Sequence, residues 1–183
     1  MKKQTTVILG ITGSIAAYKS CELVRLCIKE GWDVHVVMTT AATEFVTPLT
    51  FQTLSRNPVG VEEFAQRTEW KPNHISFADL ADVFVIAPCS ANTLAKVSLG
   101  LADNLLTSLA LANPAPMLIA PTMNERMWQH PATQGHVATL TKRKGVTVMM
   151  PGCGELACGV KGDGRMPEPE EIFGAIKKIL KKK

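Results

Sequence analysis

The chain has 183 residues, 46% of them hydrophobic and 20% charged, which excludes a disordered chain and fits one domain with a real core. The formal charge is +4, of which five lysines between 177 and 183 supply +5, so the rest of the chain carries −1. That near-neutral body lacks the basic surface that nucleic acid binding requires, and we expect no nucleic acid partner.

Cysteine usage and hydropathy indicate a reducing compartment. The five cysteines are an odd number in a long chain, which does not suggest a disulfide framework. No stretch of about 18 apolar residues is present. The apolar run near the N-terminus is broken by Thr12, Gly13 and Ser14, which argues against a cleaved signal. We therefore expect a cytoplasmic protein with no membrane segment.

Along the chain, short apolar runs alternate with segments of helical spacing. Continuous apolar runs predict strands that are covered on both faces, and the helical spacing predicts the connecting helices. In chain order we predict a strand over 7–11, a helix over 15–30, a strand over 34–38, a helix from about Ala41 that contains Phe45 and Val46, a strand over 83–87, helices near 93–97 and 104–111, a strand over 117–120, a helix over 133–142, a strand over 146–150 and a lysine-rich final helix.

Repetition of strand, helix and strand predicts the α/β class. The expected fold is a Rossmann-like, doubly wound parallel sheet, a flavodoxin-like three-layer sandwich, in a single domain over 1–183. Three strands run into Pro88, Pro121 and Pro151, and we expect each strand to stop there because proline removes a ladder donor. The carboxyl ends of parallel strands form the ligand crevice, so the loops that follow are the candidate sites.

The first of these loops, residues 10–14 with the sequence GITGS, joins a strand to a helix. Its glycines permit close approach of an anion, and the start of the next helix offers unpaired N–H groups. The spacing matches neither the dinucleotide fingerprint nor the Walker pattern, which favours a single phosphate over NAD or ATP. The alternative is a plain turn in which Ser14 caps the helix. Thr39 and Thr40 follow the second strand, and Ser90, Asn92 and Thr93 follow the third, so small polar groups recur at one edge of the sheet.

Three motifs in order carry a family resemblance. Residues 88–93 (PCSANT) resemble P-x-S-A-N-T, residues 121–128 (PTMNERMW) resemble P-x-M-N-x-x-M-W, and residues 157–166 (ACGVKGDGRM) are similar to a flap motif A-C-G-x-x-G-x-G. These are hallmarks of the homo-oligomeric flavin-containing cysteine decarboxylases. The flap motif, here within about 152–167, resembles the phosphopantothenoylcysteine decarboxylase branch, and the likeness runs from Gly10 to about Pro169.

The resemblance implies FMN as the cofactor and a specific reaction. A cysteine thiol is oxidised to a thioaldehyde, CO₂ leaves, and re-reduction gives 4′-phosphopantetheine for coenzyme A synthesis. The cofactor contacts implied are Gly13, Ser14, Ile15, Thr39, Thr40, Ser90, Ala91, Asn92 and Thr93. No metal is expected, because Cys153 and Cys158 lack the further ligands of a zinc site.

The same resemblance assigns roles to the substrate site. His74 is the implied proton-transfer residue, Asn124 donates to the substrate carboxylate, and Cys158 supplies the proton that completes the reductive half. Met123 contacts substrate, and Arg165 either anchors the flap or meets the substrate phosphate. Without the resemblance, His74 fits a surface loop and Asn124 fits a local cap or turn.

The resemblance also implies assembly and partners. We expect a homotrimer or a dodecamer of this chain, acting alone on phosphopantothenoylcysteine, with the phosphopantothenate–cysteine ligase on a separate chain. One alternative is a lantibiotic-type peptidyl-cysteine decarboxylase, which stops at the ene-thiol; Cys158 in its motif argues against it. A flavin prenyltransferase is a weaker alternative, because the P-x-M-N and A-C-G-x-x-G motifs are absent from that enzyme. A phosphatase-binding regulatory subunit is not favoured, since the histidine, asparagine and cysteine positions are all intact.

Overall fold

A parallel sheet of five strands forms the centre of the molecule, for which a computed structural model describes residues 4–63, 72–155, 159 and 161–182. All its strand pairs are parallel. The strands are β1 Thr6–Ile11, β2 Asp33–Met38, β3 Val83–Cys89, β4 Met117–Pro121 and β5 Val146–Val148, in the order β2-β1-β3-β4-β5. This is the flavodoxin-like order, and it confirms the predicted fold class.

Helices cover both faces of the sheet. The bounds are α1 Ala17–Lys29, α2 Thr40–Thr43, α3 Pro48–Ser55, α4 Asn73–Leu80, α5 Ala91–Leu99, α6 Leu105–Ala112, α7 Glu125–Gln129, α8 Pro131–Thr141 and α9 Pro169–Lys181. Alternate residues of β1 enter two separate cores: Val7 and Leu9 pack with α1 and α9, whereas Ile8 packs with α5 and α6. Burial on both faces explains why the strands are apolar throughout. Within the described residues, no helix is long and apolar enough to cross a membrane.

The predicted helix near Ala41 is shorter than expected. It ends at Thr43, so the prediction that it contains Phe45 and Val46 is wrong. Thr47 precedes Pro48 and is extended (φ −70°, ψ 148°), because a residue before proline is disfavoured in the helical region. The chain therefore leaves one helix and begins another, with Pro48 in its first turn.

The expectation that proline ends the strands is confirmed for β4, whose last residue is Pro121, and is wrong for β3 and β5. β3 continues through Pro88, after a cis Ala87–Pro88 peptide bond, and its last residue, Cys89, pairs with Pro121. The register shifts between Ile86 and Cys89, which lets the ladder pass the residue without a donor. β5 already ends at Val148, before Pro151.

The glycine-rich flap segment forms a hairpin in the structure. β6 Gly152–Glu155 and β7 Lys161–Arg165 pair antiparallel as a separate two-stranded sheet. Its glycines do not favour a strand. Contact with the loop after β4 stabilises the strand conformation instead, since Met123 N donates to Gly164 O at 3.0 Å.

Candidate active site

Thr12, in the first loop, ties that loop to the end of β3. Its fully buried hydroxyl donates to Pro88 O at 2.8 Å, and Ser90 N donates to Thr12 Oγ1 at 2.8 Å. Two of the predicted loops are thereby fixed side by side. The sequence does not predict this role of Thr12, because a hydroxyl after an apolar strand gives no sign of which distant carbonyl it will meet.

The loop after β2 lies directly against the first loop. Thr39 N donates to Ile11 O at 3.0 Å. A Cβ built on Gly13 would lie 2.7 Å from Ala41 Cβ, so only glycine permits this approach. Ser14 Oγ accepts from Ala16 N at 3.3 Å, and α1 begins only at Ala17. The alternative in which Ser14 caps the helix is therefore wrong, since Ala16 holds the cap position.

The first loop (residues 10–14) and the loop after β2 together form a cradle. One polar atom in this cradle lacks a hydrogen-bond partner among the described residues. Thr39 Oγ1 is buried and makes no hydrogen bond to any residue that the structure describes. An unsatisfied buried hydroxyl costs roughly 1–3 kcal/mol. An anion oxygen bound between the first two loops would satisfy it. Ile15, in contrast, is largely exposed, and Thr40 lies on the surface at the start of α2.

The third loop begins a helix at the same edge. Ser90 is the N-cap of α5, where Ser90 Oγ accepts from Thr93 N at 3.4 Å. Thr93 is buried and Asn92 is exposed. Cys89 lies beneath this loop, and complete burial raises the pKa of its thiol, so the side chain packs as a neutral group.

The loop after β4 places Asn124 beside the third loop. Thr122 N donates to Cys89 O at 2.9 Å, and Met123 packs against the core next to it. Asn124 Oδ1 accepts from Arg126 N at 2.9 Å and caps α7. The local cap is thus present, but it uses Oδ1 and not the NH₂ group that was predicted to bind the substrate carboxylate.

The hairpin lies on this loop through two glycines. A Cβ on Gly164, whose φ is +132°, would lie 2.1 Å from Met123 O, and one on Gly162 would lie 2.5 Å from Glu125 Cδ. A side chain at Gly164 would require the hairpin to move away from the loop that carries Asn124, whereas one at Gly162 would displace the end of the flexible Glu125 side chain. Cys158 lies outside the described residues, so its proposed role stays a prediction.

Arg165 stands at the end of the hairpin and is held by an ion pair. Arg165 Nη2 lies 3.0 Å from Glu168 Oε1, and Lys19 Nζ lies 2.9 Å from both carboxylate oxygens of Glu168. The hydrogen bond from Lys19 and the two nearby positive charges lower the pKa of Glu168 below its ordinary value. This contact fits the predicted role of flap anchor, and both predicted roles of Arg165 stay predictions.

His74, which would fit a surface loop if the resemblance were set aside, lies in the first turn of α4. Its Nδ1 is 3.0 Å from Glu63 Oε1, and both side chains are mostly buried. α4 leads into the amino end of β3, so its own start, and with it His74, lies at the carboxyl edge where the loops are. Glu63 was not predicted, because nothing in the sequence places it beside the histidine.

Two cavities, of about 450 and 520 Å³, lie at the opposite edge of the sheet. They surround Pro116 and Val146 at the amino ends of β4 and β5. None of the predicted site residues that the structure describes lines them. The candidate site is therefore the group of loops at the carboxyl edge and not either cavity.

Comparison with known proteins identifies the family. The model of the Flavoprotein family matches residues 1–181. The chain is 45% identical over 97% of its length to the coenzyme A biosynthesis bifunctional protein CoaBC of Haemophilus influenzae, and covers 44% of that protein. It is 43% identical over 95% of its length to a probable phosphopantothenoylcysteine decarboxylase of Streptococcus mutans, and covers 98% of it. The chain thus spans less than half the length of the bifunctional relatives.

Solved structures give the same result. A PPC decarboxylase variant complexed with pantothenoylaminoethenethiol superposes with a TM-score of 0.86 at 34% identity, over 98% of this chain and all of that one. The FMN binding protein AtHal3 gives a TM-score of 0.84 at 34% identity, over 99% of each chain. The peptidyl-cysteine decarboxylase EpiD, at 23% identity and a TM-score of 0.78 over 96% of this chain and 99% of that one, shares the fold.

The parallel sheet, the cradle at its carboxyl edge and the match over 1–181 define the class: the chain belongs to the Flavoprotein family. Within that family its similarity is to the phosphopantothenoylcysteine decarboxylases and to the bifunctional proteins that bear the CoaBC name. The resemblance drawn from the three sequence motifs is confirmed. A cytoplasmic location stays a prediction.

Proposed function

We propose that this protein binds FMN and decarboxylates 4′-phosphopantothenoylcysteine to 4′-phosphopantetheine, a step of coenzyme A synthesis. The observation that carries the proposal is the buried Thr39 hydroxyl, which has no partner among the described residues and lies in the loop packed against Gly13. The similarity to a probable decarboxylase along nearly the whole of both chains supports the substrate.

The residues present fit a flavin phosphate. The loops of Gly13 and Thr39 would hold it, with Ser14 as a further hydroxyl before the amino end of α1, where the helix dipole favours an anion. Ser90, Ala91, Asn92 and Thr93 would contact the rest of the cofactor. When bound, FMN supplies the acceptor and later the donor of a hydride.

The protein's own side chains would handle protons and orientation. His74 takes the proton from the substrate thiol as the neighbouring carbon loses a hydride, which leaves a thioaldehyde. The Asn124 NH₂ group holds the carboxylate without adding a charge that would oppose its loss. When CO₂ leaves, the electron pair of the broken C–C bond is delocalised onto the thiocarbonyl group. Cys158 then donates a proton to carbon before the hydride is returned.

We further propose assembly into a homotrimer or larger oligomer. Large apolar side chains near the cradle are solvent-exposed in the single chain, which is typical of a surface that another subunit covers. They are Ile15, Tyr18, Phe45 and Leu49. A phosphopantothenate–cysteine ligase is the expected source of substrate, and the bifunctional name of the relatives supports that link.

Mass spectrometry of the product tests the function. Protein incubated with FMN and 4′-phosphopantothenoylcysteine should yield 4′-phosphopantetheine, the substrate less CO₂. A product that has also lost two hydrogens would assign the oxidative reaction of the peptidyl-cysteine type instead. Unchanged substrate with FMN bound would refute both. His74→Asn, loaded with FMN, is the matched inactive control.

A further inference from the structure

We infer that Glu63 is a positioning residue for His74: its carboxylate holds the imidazole with the proton on Nδ1 and leaves Nε2 as the proton acceptor. The inference rests on the proposed function for its catalytic consequence. Its basis is the 3.0 Å approach of Glu63 Oε1 to His74 Nδ1, between side chains that are 20% and 25% exposed.

The segment that carries Glu63 is fixed to the edge of the sheet. Gly60 forms a parallel bridge with Val37 of β2. Met38 N donates to Gly60 O at 2.8 Å, and Gly60 N donates to Val36 O at 3.0 Å. Because the segment runs in the direction of β2, Glu63 arrives at the carboxyl edge, where the candidate site lies.

The helix that carries His74 is packed onto the same segment. A Cβ on Gly60 would lie 3.0 Å from Phe77 Cε2, so Phe77, one turn after His74, rests directly on Gly60. The His35 ring meets Phe77 edge-on from β2, with ring centroids 6.2 Å apart. The backbone segments that carry Glu63 and His74 therefore pack directly on each other. This packing brings the two side chains together, so their proximity does not depend on the side-chain contact alone.

A carboxylate at this position selects one tautomer of the imidazole. An ionised carboxylate only accepts hydrogen bonds, so the favourable arrangement has N–H on Nδ1 and a lone pair on Nε2. His74 Nδ1 lies within ion-pair distance of Glu63 Oε1, but in this geometry it makes no hydrogen bond to any described residue. Catalytic hydrogen bonds are often misaligned before substrate binds and tighten in the complex. Once Nε2 has taken the thiol proton, the same carboxylate stabilises the cation.

The test compares Glu63→Gln with Glu62→Gln, a change at the exposed neighbouring carboxylate. In Glu63→Gln we expect kcat to fall about 10²-fold while KM for substrate and the affinity for FMN stay near their wild-type values, because Glu63 acts only through His74. Glu63→Asp should recover part of the rate, since it restores the charge. Glu62→Gln should behave as wild type.

A second readout needs no turnover. Long-range ¹H–¹⁵N spectra of FMN-loaded protein report which ring nitrogen of His74 carries the proton, with the signal assigned by its loss in His74→Asn. We expect Nδ1–H in wild type and a shift towards Nε2–H in Glu63→Gln. A proton on Nε2 in wild type, the same tautomer in both proteins, or an unchanged kcat in Glu63→Gln would overturn the inference. If wild type binds FMN but does not decarboxylate, the proposed function fails, and the tautomer comparison still decides the role of Glu63.

Discussion

At the scale of single residues, Thr39 offers the sharpest test of the cradle. Thr39→Val keeps the shape of the side chain and removes only the hydroxyl that is buried without a described partner. A hydrogen bond to a charged group contributes about 1.5–3 kcal/mol, so FMN should bind at least about 10-fold more weakly, as measured by fluorescence titration. The FMN-free variant should be no less stable than wild type, because the substitution removes an unsatisfied polar group.

Thr53→Val is the matched control for that change. Thr53 is exposed on α3, and its hydroxyl donates to Leu49 O within its own helix. It should leave FMN affinity unchanged. Wild-type FMN affinity in Thr39→Val would mean that Thr39 does not hold the phosphate.

At the scale of elements, the sequence predicts secondary structure well where the pattern that determines it lies within the element itself. Apolar runs located all five parallel strands, and the polar loops after them located the cradle. The sequence pattern did not predict elements whose conformation depends on tertiary contacts. β6 and β7 are rich in glycine and become strands because they pack on the loop of Met123, and α4 is held by contacts of Phe77 with Gly60. Glu63 was missed for the same reason: its partner is set by packing and not by spacing.

The hairpin provides the test at this scale. Gly164→Ala would place a Cβ 2.1 Å from Met123 O in a backbone conformation with φ +132°. We expect the hairpin to separate from the loop of Asn124, so that kcat/KM falls at least about 10-fold, by at least about 1.4 kcal/mol of lost transition-state stabilisation. FMN should still bind, because Gly164 packs on the loop of Met123, which is not one of the proposed cofactor loops. Steady-state kinetics and a flavin absorption spectrum measure the two effects.

Gly135→Ala controls for the loss of a glycine. Gly135 lies inside α8, and a Cβ there would meet nothing within 4 Å. This variant should keep wild-type activity and gain slightly in stability, since alanine favours the helix by about 1 kcal/mol. Full activity of Gly164→Ala would show that docking of the hairpin is not required.

At the scale of the whole molecule, Glu168 joins the start of α9 to α1 and to the hairpin. Its pKa is lowered from the ordinary 4.5 mainly by the hydrogen bond from Lys19. A carboxyl whose pKa is lower in the folded state stabilises the fold above its unfolded pKa, and this contribution is lost as the pH falls through the folded value. Glu168 is half exposed, so solvent screening keeps the effect modest.

Glu168→Gln should therefore be less stable than wild type near neutral pH, and the difference should shrink on acidification to about pH 3. Chemical denaturation at a series of pH values measures it. Glu170→Gln, at an exposed carboxylate in the first turn of the same helix, controls for the helix dipole. A wild-type advantage that stays constant from neutral to acid pH would contradict the ion-pair account.

The central claim is that this chain decarboxylates its substrate with FMN bound in the cradle at the carboxyl edge. The most direct measurement is release of labelled CO₂ from 4′-phosphopantothenoylcysteine labelled in the cysteine carboxyl group, by FMN-free protein before and after FMN is added. The account predicts no release before addition, and release that rises with the fraction of protein that holds FMN. Equal release without FMN, or none when FMN is fully bound, would contradict it.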